Sequence, residues 1–145
     1  IIRVKEDGNK LVVIIETLTG VGNWDAVIQE YLPEIRDGDK RILTVDSQVI
    51  PYALARIPAK NETRGKLAVG GTGRTQPLSE SDFAIANKIA KNLSAQGLLF
   101  VGLDVIGTKV TEINITSPTC VKEIESEYDI NICGILFDAI EKRLQ

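Results

Sequence analysis

Leu98-Leu99-Phe100-Val101-Gly102-Leu103-Asp104-Val105-Ile106, then Gly107-Thr108-Lys109, then Val110-Thr111-Glu112-Ile113-Asn114-Ile115-Thr116: the fold turns on how this stretch is read. Two runs rich in β-branched residues, joined by a short glycine-containing link, read as a hairpin. With Gly107 to Lys109 as a three-residue loop, Val105 opposes Thr111 and Leu103 opposes Ile113. Val101, Leu103, Val105, Ile113 and Ile115 then share one apolar face. Alternation along the strands sets Asp104 across from Glu112, with Asn114 two residues further along on the same face. Two carboxylates and an amide oxygen, with no nitrogen or sulfur donor beside them, suit a hard divalent cation such as magnesium. The other reading is an ordinary solvated strand face, common in antiparallel sheets. Like-charge repulsion between the carboxylates weighs against it, unless a cation or proton intervenes.

Outward from the hairpin, a helix is expected from Ser79 to Gln96. Ser79 is its cap, Asp82 stands at the capping-box position, and Leu78 and Phe83 are spaced as a hydrophobic staple. Its stripe is Phe83, Ala86, Ile89, Ala90 and Leu93, and Gly97 stops it. A second amphipathic helix runs from about Cys133 to Leu144 and buries Ile135, Leu136, Ala139 and Ile140. Lys40 to Val45 and Val49 to Ala55 form another hairpin around Asp46-Ser47, with Pro51 suggesting an edge strand. Ala26 to Leu32 reads as a strand. After the Asp7-Gly8 turn, Asn9 caps an apolar run, Leu11 to Leu18, that is either helix or strand. The expected fold class is α+β, a mainly antiparallel sheet with packed helices.

Between Ile57 and Pro77 no period is visible, and Gly65, Gly70, Gly71 and Gly73 mark a long loop. Lys60, Arg64, Lys66 and Arg74 oppose the single Glu62 there, in a chain whose formal net charge is -3. A basic, glycine-rich cover suits a polyanion, and a solvated surface loop is the other reading. At 145 residues, 43% of them apolar and 26% charged, the chain is sized for one domain with a real core. It has no methionine, and Ile1 to Val4 reads as a strand already under way, so a fragment is expected. No segment has the order of a secretory signal or the length of a membrane span. The acidic balance argues against nucleic acid as a partner. With no histidine, imidazole-based triads and most zinc sites are excluded. Cys120 and Cys133 are expected to be two buried small hydrophobes.

Gln29-Glu30-Tyr31-Leu32-Pro33, Asp37-Gly38-Asp39-Lys40-Arg41, Pro51-Tyr52, Ala55-Arg56-Ile57-Pro58, Glu62-Thr63-Arg64-Gly65, Gly70-Gly71 and the metal-hairpin residues continue into Ser117-Pro118-Thr119. In this order and at these spacings, nearly continuously from Arg3 to Leu144, the chain resembles bacterial-type glutathione synthetases of the ATP-grasp superfamily. The resemblance covers the C-terminal part of the ATP-grasp domain, less than half of a family member. The N-terminal substrate domain and part of the nucleotide cleft lie outside it, so the fragment alone is expected to be inactive.

The resemblance implies ATP-dependent ligation of gamma-glutamylcysteine to glycine through an acyl phosphate, in the cytoplasm, by a homotetramer using magnesium or manganese. Gln29, Glu30, Tyr31 and Leu32 would bind the adenine and Asp39 the ribose. Arg41 and Arg56 would neutralise the transferring phosphoryl group and the substrate carboxylate. Glu112, Asn114 and Asp104 would hold the metal, and Ser117 and Thr119 would border the peptide substrate. Residues 57–75 would form a flexible lid using Arg64, Gly70, Gly71, Gly73 and Arg74. Thr72 follows the glycine pair where the family has arginine. Another ATP-grasp carboxylate-amine ligase and a noncatalytic folded fragment are the rival readings.

Overall fold

The computed structural model describes residues 2–4, 8–59 and 72–145. The chain divides into two units, Ile1–Pro33 and Glu34–Gln145. In the first, the apolar run resolves as a helix, α1 (Leu11–Thr19). It begins one residue later than a cap at Asn9 implies, with Lys10 at the N-cap in left-handed backbone. The Thr17 and Thr19 hydroxyls donate to the carbonyls of Val13 and Ile15 one turn back, the usual way threonine is accommodated in a helix. The strand expected over Ala26 to Leu32 is not formed, and residues 2–4 likewise lack regular structure. An extended segment becomes a strand only by pairing its N–H and C=O groups with a neighbour. Among the described residues no ladder includes either segment.

A 3₁₀ turn at Pro33–Asp37 spans the boundary, and the second unit holds a five-stranded sheet. The strands are β1 (Asp39–Val45), β2 (Gln48–Ile57), β3 (Thr72–Pro77), β4 (Phe100–Ile106) and β5 (Lys109–Asn114). Their order is β3-β2-β1-β4-β5 and every pairing is antiparallel. One face carries Ile42, Val49, Ala53, Val101, Leu103 and Val105 under helix α2 (Glu80–Ala95). The other carries Leu43, Val45, Ile50 and Leu54 under α3 (Val121–Glu127) and α4 (Ile132–Leu144). The expected α+β class and the boundaries of α2 and α4 hold to within a residue.

Four local expectations are corrected. Pro51 is not on an edge strand, because β2 is paired on both sides. The β1–β2 register shifts between Ile42 and Thr44, so Pro51 lies in an irregularity opposite Leu43, and the β3 ladder reaches only to Tyr52. Proline is tolerated where no ladder N–H is needed. The loop expected up to Pro77 ends earlier, since Thr72–Pro77 form β3; its residues are polar, so no alternation betrays the strand. Phe83 stays 46% exposed while Ala86 and Ala90 do the packing, because small side chains let the helix approach the sheet closely. Cys133 is exposed and Ile132 takes the inward position beside it; Cys120 alone is buried, and both thiols are free.

The N-terminus of α2 carries the full capping box. Ser79 Oγ accepts from Asp82 N at 3.2 Å, and an Asp82 carboxylate oxygen accepts from Ser79 N at 3.3 Å. The same carboxylate, almost fully buried, pairs with Lys40 on β1, whose ammonium also donates to the Gly107 carbonyl at 3.1 Å. Ser79→Ala should therefore cost about 1 kcal/mol of unfolding free energy, the usual loss for an N-cap. Urea denaturation checks it, and an unchanged midpoint would show that the cap contributes nothing here.

Candidate active site

Alternation decides which side chains meet. On β1, Lys40 faces α2, so Arg41 faces the opposite side, and Asp104 on β4 stands directly across from it. Arg41 Nε donates to Asp104 Oδ1 at 2.5 Å and its NH2 to Oδ2 at 3.2 Å. Arg56, from β2, brings its NH2 to 2.8 Å of the same Oδ2 and to 2.5 Å of Asp39 Oδ2. All three core members are nearly sealed: Arg41 and Arg56 are 5% exposed and Asp104 2%. Two guanidinium groups and two carboxylates thus share one buried network at the end of the sheet face that α3 and α4 cover elsewhere.

The hairpin places the remaining oxygen donors beside this network. Asp104 pairs with Glu112 and Leu103 with Ile113, as alternation predicts, and Gly102 pairs with Asn114. The turn differs from the expected three-residue loop. It is a two-residue turn, Gly107-Thr108, with Gly107 at a φ of 57°, and Val105 pairs with Val110. One extra residue, Thr111, absorbs the difference, and its hydroxyl donates to the Asp104 carbonyl at 3.2 Å. Ile113 in the outer strand and Ile115 just beyond its end do not join the core, remaining 45% and 55% exposed. Glu112 is exposed, while the Asn114 amide nitrogen is buried with no hydrogen-bond partner among the described residues. Because amide O and N are assigned from their surroundings, this buried, unsatisfied end is where an amide oxygen could meet a cation. Among the described residues no group of three or more His, Cys, Asp or Glu forms a metal cage. The donors that fit a hard cation are two carboxylates and an amide, all able to offer oxygen.

Thr119 stands at the rim, its hydroxyl 3.5 Å from Arg41 NH1, and Ser117 is exposed with a φ of 47°. Gln29, Glu30, Tyr31 and Leu32 belong to the first unit, where the Arg3 guanidinium lies 3.7 Å over the Tyr31 ring. Gly73 and Arg74 lie in β3, opposite Arg56 and Ala55, and Arg74 donates to the Gln76 side chain at 3.1 Å. Arg64, Gly70 and Gly71, with most of the expected lid, lie outside the described residues. The sequence reading missed Gly102, whose only signal is a glycine inside an otherwise apolar strand.

A sheet of this order with helices on both faces, and a buried arginine pair beside oxygen donors, has the character of an ATP-grasp domain. Residues 1–129 match the family model described as prokaryotic glutathione synthetase, ATP-grasp domain. The chain is 62% identical over 144 residues to the glutathione synthetase of Shewanella oneidensis, 61% over 145 residues to that of Vibrio vulnificus and 60% over 144 residues to that of Salmonella typhimurium. These alignments cover 99%, 100% and 99% of the chain. The chain belongs to the prokaryotic glutathione synthetase family, and it spans 46% of the length of each of these curated relatives.

The charges in the cluster are tuned in opposite directions. Burial alone would raise Asp104, but hydrogen bonds from Arg41 and Arg56 and their positive charge outweigh it and hold the carboxyl below its ordinary value. Burial raises Asp39, and Arg56 only partly offsets it. Burial also raises the Cys120 thiol, which keeps it protonated beside the arginines. The stabilisation tied to ionised Asp104 is complete above its ordinary value of 3.8 and lost as pH falls through the lower native value. Ionised Asp39 has the opposite sign, and its cost is relieved on acidification. Asp104→Asn should cost about 3–5 kcal/mol near neutrality, because it strands buried cations, and the deficit should shrink below about pH 4. Urea titrations at neutral and acid pH test this; a deficit of equal size at both would show that charge is not its source.

Proposed function

We propose that this chain supplies the phosphate- and metal-facing part of an ATP-dependent ligase that joins gamma-glutamylcysteine to glycine, giving glutathione, ADP and phosphate. The observation that carries the reading is the buried Arg41–Asp104–Arg56 cluster flanked by Glu112, Asn114 and Thr119. Phosphoryl transfer is catalysed chiefly by positioning and by charge stabilisation, so a site without histidine is sufficient. Relatives named glutathione synthetase at 60–62% identity support the substrate assignment.

In this mechanism the carboxylate of gamma-glutamylcysteine attacks the terminal phosphorus of ATP, and ADP leaves. Glycine's amine then attacks the acyl carbon, loses a proton, and displaces phosphate. Arg41 and Arg56 are held in place before substrate arrives, so they meet the developing charge without reorganising. Magnesium or manganese, bound by Glu112, Asn114 and Asp104, would neutralise phosphate charge. Asp39 keeps one carboxylate oxygen buried and, among the described residues, unpartnered, which suits a ribose hydroxyl donor. Backbone groups of Glu30 and Leu32, with Gln29 and Tyr31, would take the adenine edge. Ser117 and Thr119 border the peptide, and the segment around Arg64, Gly70, Gly71, Gly73 and Arg74 would cover the acyl phosphate against water. We place the activity in the cytoplasm, where a thiol substrate and product stay reduced, and in a homotetramer.

Joined to the remaining part of the Shewanella oneidensis relative, this chain should release phosphate from ATP and magnesium only when gamma-glutamylcysteine and glycine are both present. Release requiring a different acid or amine would keep the ATP-grasp ligase and remove the glutathione assignment; no release with any pair would leave a noncatalytic domain. In the same chimera, Glu112→Gln with Asn114→Ala should weaken magnesium-dependent nucleotide binding at least tenfold by calorimetry, and an unchanged affinity would sink the metal assignment.

A further inference from the structure

Gly102 lies inside β4, where glycine weakens a strand relative to alanine. Its φ is not positive, so the backbone does not require glycine there. Space does. A Cβ at this position would lie 2.8 Å from Pro118 Cβ, 3.1 Å from Arg41 Cδ and 3.3 Å from Arg41 NH1. The first distance is shorter than two carbons tolerate, and one of the neighbours is a proline ring that has no other rotamer to adopt. Glycine inside a strand commonly marks such a close backbone approach.

The chain segment above Gly102 is fixed from both sides. Pro118 is buried against the glycine, and Cys120, 5% exposed, enters the core with Leu43, Leu54 and Ile124. Ser117 and Cys120 both take positive φ, 47° and 84°, conformations that non-glycine residues rarely adopt without surrounding constraint. Thr119 is held between these two anchors, exposed, with its hydroxyl toward Arg41. The stem of Arg41 passes through the same gap on its way to Asp104. Across the hairpin, Asn114 is paired with Gly102, so the bare strand surface also borders the unsatisfied amide.

We propose that Gly102 is a positioning residue of the ligase site: its missing side chain forms a slot that seats Pro118 and the Arg41 stem together. The slot thereby fixes the Thr119 hydroxyl and the Arg41 guanidinium relative to each other. The inference rests on the proposed function for its catalytic consequence and on geometry alone for the slot. No chemistry passes through Gly102 itself; it acts by setting where a phosphoryl-facing cation and a peptide-facing hydroxyl stand.

Gly102→Ala in the chimera separates these parts. The Nε–H resonance of Arg41, assigned by its loss in Arg41→Lys, reports the Asp104 bond without reference to turnover. The expected result is a shifted Arg41 resonance and a kcat/KM for gamma-glutamylcysteine lower by about 10- to 100-fold, the effect of displacing a reacting group by about an ångström. The thermal midpoint should fall as well, since the added carbon must displace Pro118, and Pro118→Gly in the same chain should restore part of both losses. A folded Gly102→Ala protein with the parent's resonance and the parent's kcat/KM overturns the proposal. So does a lowered thermal midpoint with both of those unchanged. A shifted resonance in a chimera whose parent has no ligase activity supports the slot and removes the ligase reading. If Gly102→Ala does not fold, Pro118→Gly alone carries the test: it empties the slot from the other side, and an unchanged Arg41 resonance with unchanged kcat/KM overturns the proposal equally.

Discussion

Asp104 holds the second unit's charged end together. One carboxylate, buried in β4, receives Arg41 from β1 through both oxygens and Arg56 from β2 through one. Three strands are therefore tied at a single point, and Asp39 balances the second cation. Buried ion networks of this kind are weak sources of net stability, because desolvation of each ion offsets the attraction. What they do supply is register. A slip of one residue in β1 would exchange Arg41 with Lys40, which faces the other way toward Asp82 on α2. Each face of the sheet thus has its own charge lock, and a one-residue error breaks both.

The same alternation divides one sheet face into a dry part and a charged part. Along β1 it presents Arg41, then Leu43, then Val45, so charge gives way to core within five residues. Helices α3 and α4 cover the Leu43 and Val45 end, packing Ile124 and Ile132 onto it. The segment from Ser117 to Cys120 crosses at the border, with Cys120 in the core and Thr119 at the rim. A second tie fixes the far end: Asp46, in the β1–β2 turn, accepts from Ser94 at the end of α2 and from Arg143 at the end of α4. Helices on opposite faces are thereby joined around the sheet's end, and the charged end is left to the site.

How much of this is legible in sequence depends on whether a pattern is local. The Asp104–Glu112 pairing follows from alternation alone, and so does the α2 capping box. The hairpin turn does not, because a one-residue insertion at Thr111 leaves the same composition while shortening the loop. β3 is hidden since Thr72, Gly73, Arg74, Thr75 and Gln76 form a polar edge strand recognised only by its partner β2. The segment from Ala26 to Leu32 errs in the other direction, with strand-like composition and no ladder among the described residues. The arginine network is the largest omission. Sequence can name Arg41, Arg56 and Asp104 as participants, but their convergence depends on three strands pairing in the order β2-β1-β4, which no local pattern encodes.

Arginine is required in this arrangement for a geometric reason. Arg41 grips Asp104 with Nε and NH2, and its planar fork then directs NH1 toward Thr119 at the rim. A lysine could make the ion pair or face the rim, but its single ammonium could not be locked by one and aimed at the other. The hydrogen bonds that immobilise the guanidinium inside the sheet are thus what give its remaining donor a fixed direction. Burial makes this arrangement costly to fold, and the same burial keeps water from competing for the bonds between Arg41 and Asp104. Stability forgone in the interior and the fixed direction of NH1 at the rim come from one set of bonds.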